Sequence, residues 1–250
     1  MNDNFNLYAQ YYDLLYAQKQ YKAEIEYVDG LLKKLVPNAK SILEFGSGTG
    51  IHAKLLQEKG YEVFGLERSE SMVEIAQKNG LNCKVADISN FKLDNQFDIV
   101  ISLFHVVSYL VENEKLIQTF KNANNHLSHN GLFVFDVWYS PAVYEQKAVP
   151  RMKKFENEHI AITRIANPII DVNKNVIDVN YTIFVKDKIA HNSQEFFESH
   201  PMRHFSIPEM ELLAALAGFE IIKNEEFVTS NKPSENSWGV CFVLKKIKNL

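Results

Sequence analysis

Three glycines at alternate positions, Gly46, Gly48 and Gly50 in "ILEFGSGTGIHAKLL", follow an apolar run that carries an acid, Glu44, and lead directly into a helical pattern. A strand, a glycine turn and a helix N-terminus together offer bare N–H groups, partial positive charge and close backbone approach, so a ligand with a polar end is expected there. A phosphate, a dinucleotide and a smaller adenosine-bearing molecule all meet that description. The spacing discriminates among them. Dinucleotide loops read G-x-G-x-x-G, and here the third glycine position is Ile51; a Walker loop needs Gly-Lys-Ser/Thr, which is absent. Glu44 would repel a pyrophosphate but suits an ammonium group, which favours a nucleoside carrying an amino acid.

Other chemistry-bearing residues recur at the ends of apolar runs. Glu67 closes "EVFGLE", where a carboxylate can accept both hydrogen bonds of a ribose diol, and Asp87 in "VADIS" stands beside the apolar Ile88, positioned for an adenine amino group. His105 and Tyr109 in "FHVVSYL" follow a fourth run, and Trp138 and Tyr139 in "DVWYSP" follow a fifth. Open α/β sheets take ligands at that edge. Tyr8, Tyr11, Tyr12, Tyr16 and Tyr21 could bury one side of an amphipathic helix, with Tyr12 and Tyr21 the candidates to reach a site. His200 and His204 sit in a strand-like segment with Pro201 between them and no third ligand in view, so no metal is expected.

The elements that must position these residues alternate strictly. "SILEF", "EVFGLE", "CKVAD", "FDIVISLF" and "GLFVFDVW" read as strands; "HAKLLQEKG", "SESMVEIAQKNG" with a Ser N-cap, and "ENEKLIQTFKNANNHLSHNG" read as helices between them. Such alternation predicts a doubly wound α/β sheet. After Trp138 the rhythm changes to alternating β segments without helices, "MKKFEN", "HIAITRIAN", "VIDVNYTIFVKD" and "SQEFFESHPMRHFS", predicting an antiparallel insertion over about 146–206. A helix, "IPEMELLAALAGF", and a terminal hairpin, "EIIKNEEFV" with "WGVCFVLKK", complete the pattern. No repeat or Pro/Gly-rich linker divides the chain, so one domain over 1–250 is expected, with a helical N-terminal cap over 1–35.

Composition narrows the partners. Lys and Arg total 27 against 31 Asp and Glu, a net charge of −4, and the sole basic cluster is the closing "LKKIKNL", so nucleic acid is excluded as a partner. "MNDNFNLYAQYYD" lacks a basic n-region before an apolar stretch, and no run approaches the roughly 18 apolar residues of a membrane helix, so a soluble, cytoplasmic chain with no membrane partner is expected. Cys83 and Cys241 have no paired spacing and read as reduced core thiols. Homodimerisation is left open.

Taken together, "LEFGSGTG", "GLERSESMVEIA", "VADISNF" and "FDIVISLFHVVSYL" resemble the successive motifs of class I S-adenosylmethionine-dependent methyltransferases over roughly residues 40 to 140. The resemblance implies a Rossmann-like seven-stranded sheet with a reversed terminal hairpin. It implies S-adenosylmethionine as cofactor, S-adenosylhomocysteine as product, Glu44 and the glycine loop against the methionine part, Glu67 on the ribose and Asp87 with Ile88 on the adenine. Tyr21, Ser47, Arg68, Met72 and Leu103 complete the implied cofactor set. "YYDLLYAQKQY", "FHVVSYL", "DVWYSP", the insertion and "ESHPMRHFSIPEMELLAALAGF" are further similar to the N,N-dimethyltransferases of TDP-linked amino sugars, which implies a nucleotide-activated small-molecule acceptor. Trp138, Tyr139 and Arg203 are its implied substrate residues, and the insertion lies on the acceptor side. Where those enzymes carry Gly-Arg-Gly, this chain reads "SENSWGV".

Methyl transfer from a sulfonium is an in-line displacement, so holding the acceptor and excluding water are the main requirements. An amine acceptor of near-neutral pKa needs almost no base. A sugar hydroxyl, as in a surface-glycan precursor, needs one, and the candidates are His105, Tyr12 and Tyr109. A nicotinamide oxidoreductase and a cofactor-binding protein without turnover are the readings from other classes.

Overall fold

The computed structural model describes residues 11–249. Five parallel strands, β1 (Ser41–Phe45), β2 (Glu62–Glu67), β3 (Asn82–Val85), β4 (Phe97–Ser102) and β5 (Leu127–Tyr139), run in the order β3-β2-β1-β4-β5. The antiparallel pair β10 (Phe219–Glu226) and β11 (Gly239–Lys246) extends this sheet, β11 lying against β5 from Gly239↔Trp138 to Lys245↔Leu132. The expected seven-stranded sheet with its reversed terminal hairpin is therefore present.

Period-two alternation along the central strands feeds two apolar layers. Phe133, Phe135 and Val137 face one side with Leu43, Phe45, Phe242 and Leu244, where helices α4 (Asn113–His126) and α6 (Ile207–Leu216) cover them with Phe120, Leu116, Met210 and Leu213. Leu132 and Val134 face the other with Ile42, Ile99 and Ile101, covered by Ile25, Val28 and Leu32 of α1 (Tyr21–Leu35), Ala53 and Leu56 of α2 (Ile51–Glu58) and Val73 of α3 (Glu70–Lys78). Each large side chain so buried contributes roughly 1.5–3 kcal/mol, which fixes the strand ends where the chemistry sits. Cys83 and Cys241 are buried free thiols. Among the described residues no helix is long and apolar enough to cross a membrane.

Between β5 and α6 lie a short helix, α5 (Ser140–Gln146), and four antiparallel strands: β6 (Arg151–Glu156), β7 (Ile160–Asp171), β8 (Val176–Asp187) and β9 (Ser193–Phe205). Among the described residues, the last of these joins the main sheet through Trp138↔His204 and Tyr139↔Phe205. This sheet thus hangs from the end of β5, over the edge where the parallel strands finish.

Two local readings need correction. "LSHNG" leaves the helix at His126, because Leu127 turns extended and pairs with Phe97; Asn130 then takes a left-handed φ of 62° and the register jumps before Ile99↔Leu132. The segment "SPAVYEQ", unassigned from sequence, is helix α5, with Pro141 in its first turn where a missing N–H costs nothing.

Candidate active site

The carboxyl ends of the parallel strands open into a cavity of about 480 Å3, within the roughly 300–1,000 Å3 of small-molecule sites. Its floor is the glycine loop between β1 and α2. Gly46 has φ 70°, and a Cβ there would come within 2.6 Å of the Val106 methyls, so no larger residue fits. Gly48 has φ 53° with no protein atom within 4 Å of the space a Cβ would take, and its N–H donates to Glu67 Oε2 at 3.1 Å. Ser47 lines the cavity with its buried Oγ unpartnered among the described residues.

Glu67 is anchored at its other oxygen too, Oε1 accepting the Ser69 N–H at 2.9 Å, so the carboxylate is aimed before any ligand arrives. Ser69 also caps α3, accepting from the Met72 N–H. Asp87 Oδ1 accepts from both the N–H and the hydroxyl of Ser89, at 2.8 and 2.7 Å. Burial pushes that carboxyl up, but the Ser89 hydrogen bonds and the charges of Arg68 and Lys115 outweigh it and hold it below the usual range. Met72, Ile88 and Leu103 supply apolar wall around these polar points, and Arg68 stands at the rim.

Two of the expected cofactor residues are set back from the wall. Gly50 is the left-handed N-cap of α2, φ 86°, and faces Leu81 and Ala76. Glu44 lies within β1, 1% exposed, with Oε2 unpartnered among the described residues. Burial, reinforced by the charge of Glu67, raises its carboxyl to about 8. Ser47, Glu67 and Asp87 line the cavity, whereas Glu44 is outside its lining, an acid with one oxygen unpartnered among the described residues. This donor set fits a ligand with a diol, an exocyclic amine and a cationic amino-acid end.

The opposite wall comes from the N-terminal segment, the loop after β4 and the insertion. Tyr12 and Tyr21 both line it, and Thr49 of the glycine loop donates to Asp13 Oδ1 at 2.9 Å. Burial drives the Tyr12, Tyr21 and Tyr109 hydroxyls upward, so none is an anion near neutrality. Tyr109 is part of a 3-10 turn, Val106–Tyr109, and its hydroxyl meets His200 Nδ1 at 2.9 Å. Burial, with the charge of Arg164, lowers His200 to about 4 and keeps it neutral.

His105 and the preceding Phe104 both have left-handed φ, 61° and 66°. Two adjacent non-glycine residues in that region cost of order 1–3 kcal/mol each and persist where surrounding structure enforces them. Here the enforcing group is Asp136 of β5, wholly buried, whose two oxygens stand 3.3 and 3.2 Å from the His105 N–H, while Oδ2 lies 2.6 Å from His105 Nδ1. Burial would raise the Asp136 carboxyl, but the His105 charge and its hydrogen bonds prevail and hold it below the usual range. Trp138 flanks the His105 ring at 6.1 Å and lines the cavity.

The remaining substrate expectations fall elsewhere. Tyr139 alternates onto the opposite face of β5 and packs in the core beside Phe205, while Arg203, one residue from the cavity-lining Met202, is held on the far face by Glu209 at 2.6 Å and Asn113 at 2.7 Å. The insertion places Arg164, Tyr181 and His200 in the wall instead, and "SENSWGV" places Trp238 there. Of these, Arg164, Tyr181 and Trp238 escaped sequence reading, as did Asp136; the legible signal was a lone basic residue in "HIAITRIAN", the one tyrosine in "VIDVNYTIFVKD", an isolated tryptophan, and an acid inside the otherwise apolar "GLFVFDVW".

Strand order, glycine loop and terminal acids define an α/β enzyme that holds an adenosine-bearing cofactor at the carboxyl edge of its sheet. The chain belongs to the methyltransferase-domain family, which matches residues 16–224, and is a class I S-adenosylmethionine-dependent methyltransferase. It is similar to the dTDP-3-amino-3,4,6-trideoxy-alpha-D-glucopyranose N,N-dimethyltransferase of Streptomyces venezuelae, at 26% identity over 218 residues, covering 86% of this chain and 90% of that one. It is equally similar to YqeM of Bacillus subtilis (strain 168), named only as a methyltransferase, at 27% identity over 251 residues and 97% of each chain. Among solved structures, an S-adenosylmethionine-dependent methyltransferase from Clostridium acetobutylicum ATCC 824 matches with a TM-score of 0.80 at 20% identity, covering 98% of this chain and 100% of that one.

Proposed function

We propose that this enzyme methylates the amine of a nucleotide-linked amino sugar. The observation that carries the reading is the likeness to the Streptomyces venezuelae N,N-dimethyltransferase, whose 86% coverage of this chain is too long for the cofactor core alone. The cavity supports it: cofactor-side residues lie on the strand ends, and a separate wall of Tyr12, Tyr109, Trp138 and insertion residues is available to a second ligand. In this reading Gly46, Gly48, Ser47 and Tyr21 hold the methionine end, Glu67 the ribose, and Asp87 with Ile88 the adenine, with Glu44 charge-compensating from behind the loop. When bound, S-adenosylmethionine supplies an activated methyl group on a sulfonium.

The residues of the chain orient and desolvate. Tyr109 and Trp138 shape the acceptor chamber, and the insertion closes it against water, which strengthens every polar interaction inside. Orientation of this kind supplies several kcal/mol of the barrier reduction. The His105–Asp136 pair favours a second reading, transfer to a sugar hydroxyl, because only a hydroxyl must lose its proton in the transition state. A screen of TDP-linked amino sugars and hydroxyl-bearing glycan precursors, read as cofactor-dependent mass gains of one or two methyl groups, tests both. Two methyl groups on an amino sugar establish the first; a single gain on sugars lacking an amine establishes the second.

A further inference from the structure

We propose that Asp136 is a positioning residue: it holds the His105 imidazole as its Nδ1–H tautomer, with Nε2 bare toward the cavity, and so makes His105 the proton acceptor for the group to be methylated. The inference rests on the methyltransferase reading for its acceptor and on geometry for the rest. Nδ1 and Asp136 Oδ2 are 2.6 Å apart in an ion-pair contact without hydrogen-bond alignment, and because two lone pairs at that distance repel, Nδ1 is the nitrogen that carries the proton. Nδ1 is wholly buried and the space beside Gly239 abuts Cε1, whereas the side chain keeps 21% of its surface open and lines the cavity. The edge left open is the one that bears Nε2.

Asp136 also holds the backbone. By accepting the His105 N–H it fixes a residue at φ 61° that would otherwise relax, so one carboxylate sets the ring's position, its rotation and its tautomer. Nothing in the cofactor set needs this arrangement. Among the described residues, the titratable groups whose charge reaches Asp136 include Lys19 from the N-terminal segment, His52 of α2 and Cys241 of β11.

For an amine acceptor the step balances simply. Alkyl ammonium groups ionise near ~10, so the acceptor arrives protonated; one of its N–H bonds breaks, the proton forms a bond to His105 Nε2, and the electron pair stays on nitrogen for the methyl carbon. The imidazolium is stabilised against the Asp136 carboxylate until Nε2 returns the proton to water.

The test combines a spectrum with kinetics. In protein labelled with 15N-histidine, His105 should show a protonated Nδ1 and a bare Nε2 near pH 8, and Asp136→Asn, which fits the same space but presents an amide, should move the proton to Nε2. With a TDP-linked amino sugar as substrate, Asp136→Asn should lower kcat on the order of tenfold at pH 6.5, below the substrate's own ionisation, and regain wild-type rate once the amine is deprotonated. His105→Gly, which suits the left-handed φ, should lose a similar factor and regain it with added imidazole. A wild-type His105 protonated at Nε2, or an Asp136→Asn deficit that is the same at every pH and accompanied by weakened S-adenosylmethionine binding, overturns the proposal. Wild-type protein that methylates no amino sugar strikes the acceptor reading alone, since the imidazole spectrum decides the tautomer independently.

Discussion

Glu67 Oε2 accepts the Gly48 N–H at 3.1 Å, tying the acid at the end of β2 to the loop at the end of β1. One carboxylate therefore shapes the loop and faces the cavity. Glu67→Ala should weaken S-adenosylmethionine binding by tenfold or more, since a charge-assisted hydrogen bond contributes roughly 1.5–3 kcal/mol. Gly48→Val should do the same by placing a branched side chain at φ 53°, in space that is otherwise open. Calorimetric titration reads both, and wild-type affinity in the two variants would remove this loop from the cofactor site.

Burial raises the Glu44 carboxyl to about 8 from its ordinary value of 4.5. The folded state therefore keeps a proton that the unfolded state releases, so stability falls as pH rises from about 4.5 to about 8. Glu44→Gln stays neutral throughout, and its Tm should overtake the wild type increasingly between pH 6 and 8.5. If the cofactor's ammonium draws the charged form, binding at pH 7 should release about one proton in the wild type and none in Glu44→Gln, measured by calorimetry in two buffers of different ionisation enthalpy. Equal release by both would detach Glu44 from the ligand.

These two acids show what the sequence made legible. The alternating strands, the glycine spacing and the acids at strand ends are local patterns, and they located the floor of the cavity: Gly46, Ser47, Gly48, Glu67, Asp87 and Ile88 all line it. The acceptor wall is different, because it is assembled from residues far apart in the chain whose only local signature is which face of a strand they occupy. Period-two alternation puts Trp138 in the wall and Tyr139 in the core, and Met202 in the wall with Arg203 behind it. Reading that phase requires knowing which face of β5 and β9 the insertion covers. Asp136 stayed hidden for the same reason: its partner, His105, arrives from the loop after β4.

His204 is buried, meets Ser140 Oγ at 2.8 Å, and stands outside the cavity wall. Burial, with the charge of Arg203, lowers it to about 4, against 6.5 when unfolded. Between those values the unfolded chain binds the proton and the folded one does not, so stability is complete above about 6.5 and falls as pH drops toward 4. His204→Gln should flatten the fall in Tm over that window by a few degrees while leaving cofactor affinity unchanged. A variant whose Tm tracks the wild type from pH 7 to pH 4.5 would show that His204 titrates normally.

The N-terminal segment is tied to the cofactor loop by Asp13, whose carboxylate accepts from Thr49, and to the insertion by Leu15, which is buried against Ile162, Ile183 and Phe196. Residues 1–10 of the expected 1–35 cap, Tyr8 among them, lie outside the described residues, but Tyr12 and Tyr21 both line the cavity. A segment bonded to the floor on one side and the roof on the other completes the enclosure, and enclosure excludes water from the transfer. Among the described residues, the two apolar layers of the central sheet draw nothing from residues 11–16. Deleting residues 1–16 should therefore leave far-UV circular dichroism close to the wild type, weaken cofactor and acceptor together, and reduce turnover at least a hundredfold. Asp13→Ala is the milder test, since it removes the tie to Thr49 and keeps every tyrosine: S-adenosylmethionine affinity should drop several-fold, a charge-assisted hydrogen bond's worth at most. Full turnover by the truncated protein would show that the cavity closes without this segment.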